Sequence, residues 1–133
     1  MKTKLNCILL IDDNHADNCY HKIIIDEMNI AERIEVALDG EEALKLLSHK
    51  GEAPPELIFL DINMPKVNGW EFLKVYHELP EKQKAKTIIV MLSTSDNPKD
   101  LERSKQIKEV GGYKVKPLNE KMLDEILKQH FPA

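Results

Sequence analysis

The chain is predicted to fold as a doubly wound α/β domain, a (βα)5 three-layer sandwich around a five-stranded parallel sheet. Three observations carry that expectation. Ile8-Leu9-Leu10-Ile11 and Leu57-Ile58-Phe59-Leu60 are short runs that are apolar at every position, as strands buried on both faces of a parallel sheet are. Strand-like and helix-like patterns alternate about five times along the 133 residues. Right-handed crossovers between parallel strands then put helices on both faces.

In chain order, the strands are expected at Leu5–Ile11, Arg33–Ala37, Glu56–Leu60, Thr87–Leu92 and Gly112–Val115. The helices are expected at 15–30, 40–49, 68–78, 98–110 and 119–130. Gly40-Glu41-Glu42 opens an amphipathic helix with acids in its first turn, where the helix dipole favours them. Asn97-Pro98 supplies a cap followed by proline at the first helical position. Gly111-Gly112 is expected to stop that helix. Leu79 to Lys86 reads as a polar surface loop, with Lys82, Lys84 and Lys86 as a solvated run.

The length suits one domain over 1–133, with no output domain expected. No run of about 18 apolar residues is present, and Met1-Lys2-Thr3-Lys4 leads straight into a strand, so a cytoplasmic protein without membrane insertion is expected. Cys7 and Cys19 form no CxxC pair and read as buried or half-buried thiols. A net charge of −4 argues against nucleic acid as the main partner. Residues 1–73 carry 7 basic and 14 acidic side chains, residues 74–133 carry 12 and 9. The second part is therefore expected to present a mildly basic face, including Lys99, Arg103, Lys105, Lys108, Lys114 and Lys121.

The chemistry lies where strands end. Asp12-Asp13 and Asp61 each follow an aliphatic run directly, and open α/β sheets bind ligands at the carboxyl ends of their strands. In the common order 2-1-3-4-5 the crevice opens between strands one and three, bringing these acids together. Ser93 ends strand four and Lys116-Pro117 follows strand five, so three acids, a hydroxyl and an amine would ring one spot. Carboxylates that close repel one another unless a cation neutralises them. With no Cys or His among them, oxygen ligands favour a hard cation, Mg²⁺ (or Mn²⁺), over zinc. Hard cation, amine and carboxylate together suit phosphoryl transfer, with an aspartate as a possible nucleophile.

Asp12-Asp13, Asp61-Ile62-Asn63-Met64-Pro65 with Gly69, the Ser93 hydroxyl and Lys116-Pro117 resemble the receiver domain of bacterial two-component response regulators, in order and across the chain. The resemblance is to the stand-alone, chemotaxis-regulator-like class with its flavodoxin-like fold. Ile8 to Asn14 with Ala16-Asp17, and Leu92 to Pro98, are similar to short regulators related to those paired with bacterial phytochromes. It implies a signalling protein rather than an enzyme. Asp61 would be the phosphoacceptor, taking the group from a phosphohistidine of a sensor histidine kinase or histidine phosphotransfer protein. Asp13 and Asp61 would bind Mg²⁺ by carboxylate, Asn63 by its backbone carbonyl, and Asp12 mainly through water. Lys116 would pair with the phosphoryl group or with Asp61; Ser93 and Tyr113 would form the switch. The peptide bond before Pro117 would be cis. The downstream protein target is unknown, and a monomer or a phosphorylation-linked dimer is expected.

Among the neighbouring residues, Asp17 reads as a solvated helix residue, His15 as an exposed first-turn histidine, Trp70 as partly exposed and Met64-Pro65 as loop-shaping. Rival functions fit less well. A haloacid-dehalogenase-type phosphatase needs a second acid where Asn63 stands. A flavodoxin-like carrier needs a phosphate-cradling loop where Asp12-Asp13 would repel phosphate. A phosphorylation-independent adaptor is the remaining alternative.

Overall fold

A computed structural model of the chain describes residues 4–48, 54–64, 67–80, 84 and 87–131. The elements alternate as β1 (Leu5–Ile11), α1 (His15–Met28), β2 (Ala31–Ala37), α2 (Gly40–Leu47), β3 (Leu57–Asp61), α3 (Gly69–His77), β4 (Ile88–Ser93), α4 (Pro98–Lys105), β5 (Val110–Val115) and α5 (Glu120–His130). All strand pairs are parallel, in the order β2-β1-β3-β4-β5. The doubly wound architecture read from the sequence is the observed one.

Every residue of β3 is buried, as is every residue of β1 except Asn6. Alternate side chains serve opposite faces, the period of a strand. Leu9, Ile11, Ile58, Leu60, Ile89 and Met91 pack with Leu47 of α2 and Phe72, Leu73 and Tyr76 of α3. Ile8, Leu10, Phe59, Val90 and Leu92 pack with Ile25 of α1 and Leu123 and Ile126 of α5. The strands are therefore clamped between two apolar layers, and their polar ends emerge only at the rim.

Each helix starts on an Asn or Asp that caps it. Asn14, Asp39, Asn68, Asn97 and Asn119 each accept a backbone N–H two or three residues on. Asn68 and Glu71 complete a reciprocal capping box. Such caps start the helices within a few residues of the strand ends, which holds the intervening loops close to the crevice.

Several boundaries differ from expectation. α1 stops at Met28 because Asn29 takes the left-handed conformation (φ 54°), and β2 begins at Ala31, opposite Leu5. α4 ends at Lys105 so that Ile107 can pack on the apolar layer over α3. Gly111-Gly112 therefore stops no helix. Both glycines lie inside β5, where the register slips by one residue between Ile89–Val110 and Val90–Gly112. A Cβ on Gly111 would stand 2.9 Å from Ile88 and 3.0 Å from His130. The glycine permits an irregularity and a close approach of α5.

Side-chain positions also depart from expectation. Trp70 is buried, with the Arg103 guanidinium 4.3 Å above its ring, so Arg103 faces α3. Lys84 is buried rather than solvated, donating to the His77 carbonyl (2.9 Å) and pairing with Glu109 (3.5 Å). Met64 belongs to the core, and Cys19 is exposed while Cys7 is buried. His15 is exposed, as expected. Pro65, Lys82 and Lys86 lie outside the described residues.

Gly69 fixes α3 against the acidic end of β3. Its N–H donates to the Ile62 carbonyl (2.9 Å), and a Cβ there would lie 2.8 Å from the Asp61 carbonyl oxygen and 2.9 Å from Ile62 Cα. Both obstacles are backbone, so α3 itself must move. Gly69→Ala is expected to lower unfolding free energy by about 1–3 kcal/mol. Denaturant titration measures this, and an unchanged midpoint would contradict the close-approach role.

Candidate functional site

The carboxyl ends of β1, β3, β4 and β5 converge at one edge of the sheet. Asp12 follows β1 and its N–H donates to the Ala37 carbonyl (3.0 Å). Asp61 ends β3, and the next residue, Ile62, donates to the Leu92 carbonyl (3.1 Å). Ser93 ends β4, and the Lys116 N–H donates to its carbonyl (2.8 Å). Backbone bonds thus extend the strand pairing one residue past the sheet and lock the functional positions together.

Asp12, Asp61 and Ser93 are buried, whereas Asp13 and Asn63 are exposed at the rim. One oxygen each from Asp12, Asp13 and Asp61 lies within 4.8 Å of the others. The Lys116 amine donates to Asp12 Oδ2 (2.5 Å) and Asp17 Oδ2 (2.9 Å), and stands 3.6 Å from Asp61 Oδ1. The Lys116–Pro117 peptide bond is cis. Ser93 Oγ accepts the Ser95 N–H (3.1 Å), and the Tyr113 hydroxyl donates to the Ser95 carbonyl (3.1 Å). The five residues singled out around the crevice are therefore brought together, and Tyr113 joins them through Ser95.

The electrostatics follow from burial. Loss of solvent, then the charge of Asp12, push the Asp61 carboxyl up to about 6, with Lys116 pulling against the rise. Burial also opposes the Lys116 charge, but its hydrogen bonds to Asp12 and Asp17 outweigh that and hold the amine above its ordinary range. Among the described residues, one amine faces several acids, which leaves the crevice negative. A divalent cation would balance such a group, and an all-oxygen donor set suits Mg²⁺ or Mn²⁺. The residues present fit the ion.

Asp17 is not the solvated residue expected; it reaches across to Lys116. Three further residues, the α1 cap Asn14 and the helix residues Asn18 and His21, were given no role by the sequence reading. The Asn14 N–H donates to Asp12 Oδ1 (3.0 Å), and Asn18 Nδ2 donates to the Asp12 carbonyl (2.8 Å). His21, almost fully buried, accepts the Leu118 N–H at Nε2 (3.2 Å), bracing the segment after Lys116. Burial, then the Lys116 charge, hold His21 below its ordinary range, which keeps that nitrogen an acceptor. Asn18, His21 and Ile25 recur at the spacing of a buried helical face; polar residues in those positions were the available signal.

The response regulator receiver domain model matches residues 8–128. The probable methanogenesis regulatory protein FilR2 of Methanothrix harundinacea is 33% identical over 116 residues, spanning 84% of this chain and 72% of that protein. A two-component response regulator of Cytophaga hutchinsonii superposes with a TM-score of 0.89 at 30% identity, covering 98% of this chain and 99% of that one. The bacteriophytochrome response regulator AtBRR superposes at 0.80 with 27% identity, covering 98% and 95%. The chain belongs to the receiver domain family of two-component response regulators. Receiver domains are signalling proteins that take phosphoryl groups from histidine kinases and bind Mg²⁺ at an acidic cluster such as Asp12, Asp13 and Asp61.

The raised Asp61 carboxyl has a measurable consequence. Its proton is held more tightly in the folded chain than at the ordinary 3.8, so ionisation costs stability that grows from about pH 4 and is complete above about pH 6. In chelator at pH 7.5, Asp61→Asn is expected to raise unfolding free energy by about 2–3 kcal/mol. The gain should shrink as pH falls to 5. Denaturant titration at both pH values checks it, and no gain at pH 7.5 would contradict the assignment.

Proposed function

We propose that this chain accepts a phosphoryl group on Asp61 from a phosphohistidine of a sensor histidine kinase or histidine phosphotransfer protein. The observation that carries the reading is the buried Asp61 carboxylate in the acidic crevice, 3.6 Å from the Lys116 amine. An Asp61 oxygen forms the new O–P bond as the donor's P–N bond breaks. The electron pair leaves on the imidazole nitrogen, which takes up a proton. Asp12, Asp13 and Asp61, with the Asn63 carbonyl, would hold the Mg²⁺ or Mn²⁺; the bound ion supplies positive charge to the phosphoryl oxygens. Lys116, 3.6 Å from Asp61, supplies a second positive centre.

Ser93 and Tyr113 carry the change outward. When the Ser93 side chain moves its Oγ to donate to a phosphoryl oxygen, the bond that this oxygen accepts from the Ser95 N–H is strained or broken, and Tyr113 is tethered to that same residue. A charge-assisted hydrogen bond contributes about 1.5–3 kcal/mol, whereas a switch from 1:99 to 99:1 takes about 5.5 kcal/mol. A switch that complete would need contributions from Lys116 and the repacking of Tyr113 as well. The result is a phosphorylation-driven change of a protein-binding surface, in a cytoplasmic regulator.

Acetyl phosphate with Mg²⁺ is expected to label the wild-type chain, and chelation or Asp61→Asn should abolish labelling. Undiminished uptake by Asp61→Asn would sink the acceptor assignment, and a wild-type chain that refuses phosphate would favour the adaptor reading. Ser93→Ala should still take phosphate but lose about tenfold or more of the phosphorylation-dependent change in partner affinity. Equilibrium binding with and without phosphodonor measures this; a full response in the mutant would remove Ser93 from the switch.

A further inference from the structure

Lys116 shares its amine unequally among three carboxylates. It hydrogen-bonds Asp12 (2.5 Å) and Asp17 (2.9 Å), while Asp61 at 3.6 Å lies outside hydrogen-bond range. Asp12 and Asp61 belong to the cluster that fits a divalent ion, and Asp17 does not. Nor does the Asp17 side chain cap its helix, since Asn14 already accepts the Asp17 N–H (3.0 Å). Its contact is the amine. The Asp17 side chain is 35% exposed and that of Lys116 only 9%, so a carboxylate at the rim reaches a charge sunk in the crevice.

Resting on the acceptor reading above, we propose that Asp17 is a positioning residue that holds the Lys116 amine back from Asp61 and sets how readily it passes to an incoming phosphoryl group. An ammonium has three N–H groups, and two are committed to Asp12 and Asp17. To meet a phosphoryl group on Asp61 with more than its remaining N–H, Lys116 must loosen one of these bonds. The Asp17 bond is the longer and the more exposed, so it gives way first. Asp17 also adds a negative charge beside the path of an anionic donor, which opposes donor approach while the amine is held.

Two measurements test this. With acetyl phosphate and Mg²⁺, Asp17→Asn is expected to lower the apparent KM about three- to tenfold, with the difference fading at high salt. The maximal rate should move less than the KM, because the effect acts on donor approach. Asp17→Glu should restore wild-type values. A double-mutant cycle of Asp17→Asn with Lys116→Met, read on the unfolding equilibrium in chelator, should give a coupling of about threefold or more. Absence of coupling overturns the proposal whether or not the chain takes phosphate. Coupling with an unchanged KM also overturns it, since Asp17 would then be purely structural. A wild-type chain that fails to accept phosphate is seen in the control and sinks the acceptor reading instead.

Discussion

Among the described residues, Lys116 is the cation that lets Asp12 and Asp61 stand buried in one crevice. Two carboxylates removed from water at that separation would otherwise repel, and one would hold a proton at neutral pH. The amine bonds Asp12 directly and stays within 3.6 Å of Asp61. Its own position depends on the rest of the fold: its N–H pairs with Ser93, the segment behind it is braced by His21, and its tip is tied to Asp17 on α1. Four elements therefore converge on one side chain. The compensation is incomplete, since Asp61 remains pushed up to about 6, and that residual cost is what a bound cation or a phosphoryl-linked rearrangement can relieve.

Sheet order makes this convergence possible. Because β1 and β3 are neighbours although distant in sequence, acids that each merely end a strand become one site. The two apolar layers clamp the strands, so the acids sit on closely packed backbone, and the Ser93–Ser95–Tyr113 hydrogen bonds lead from the crevice toward β5.

Much of this was legible in the sequence, for a physical reason. Ile8 to Ile11 and Leu57 to Leu60 are apolar at every position, the pattern of a doubly covered strand, and the acids follow directly. Helix starts were legible where a cap preceded them, as at Asn97-Pro98. Helix ends were less so: Asn29, a residue type that tolerates the left-handed backbone, ends α1 short of the expected boundary, and Gly111-Gly112 serves strand irregularity rather than helix termination. The side chains misread share another cause. Asp17 is tied to Lys116, Lys84 to Glu109 and Trp70 to Arg103, and each partner is remote in sequence. Local pattern describes a residue's own element, whereas these burials are decided by the element packed opposite.

On the proposed acceptor role of Asp61, the crevice directs a phosphoryl group to one oxygen-bearing side chain. Borohydride reduction tests it directly, because an aspartyl phosphate is reduced to homoserine while a free carboxylate is untouched. Peptide mass mapping of chain treated with acetyl phosphate and Mg²⁺, then borohydride, is expected to find homoserine at position 61 and not at 12, 13 or 17. Homoserine at one of those other positions, or at none while wild-type chain carries acid-stable phosphate elsewhere, would contradict it.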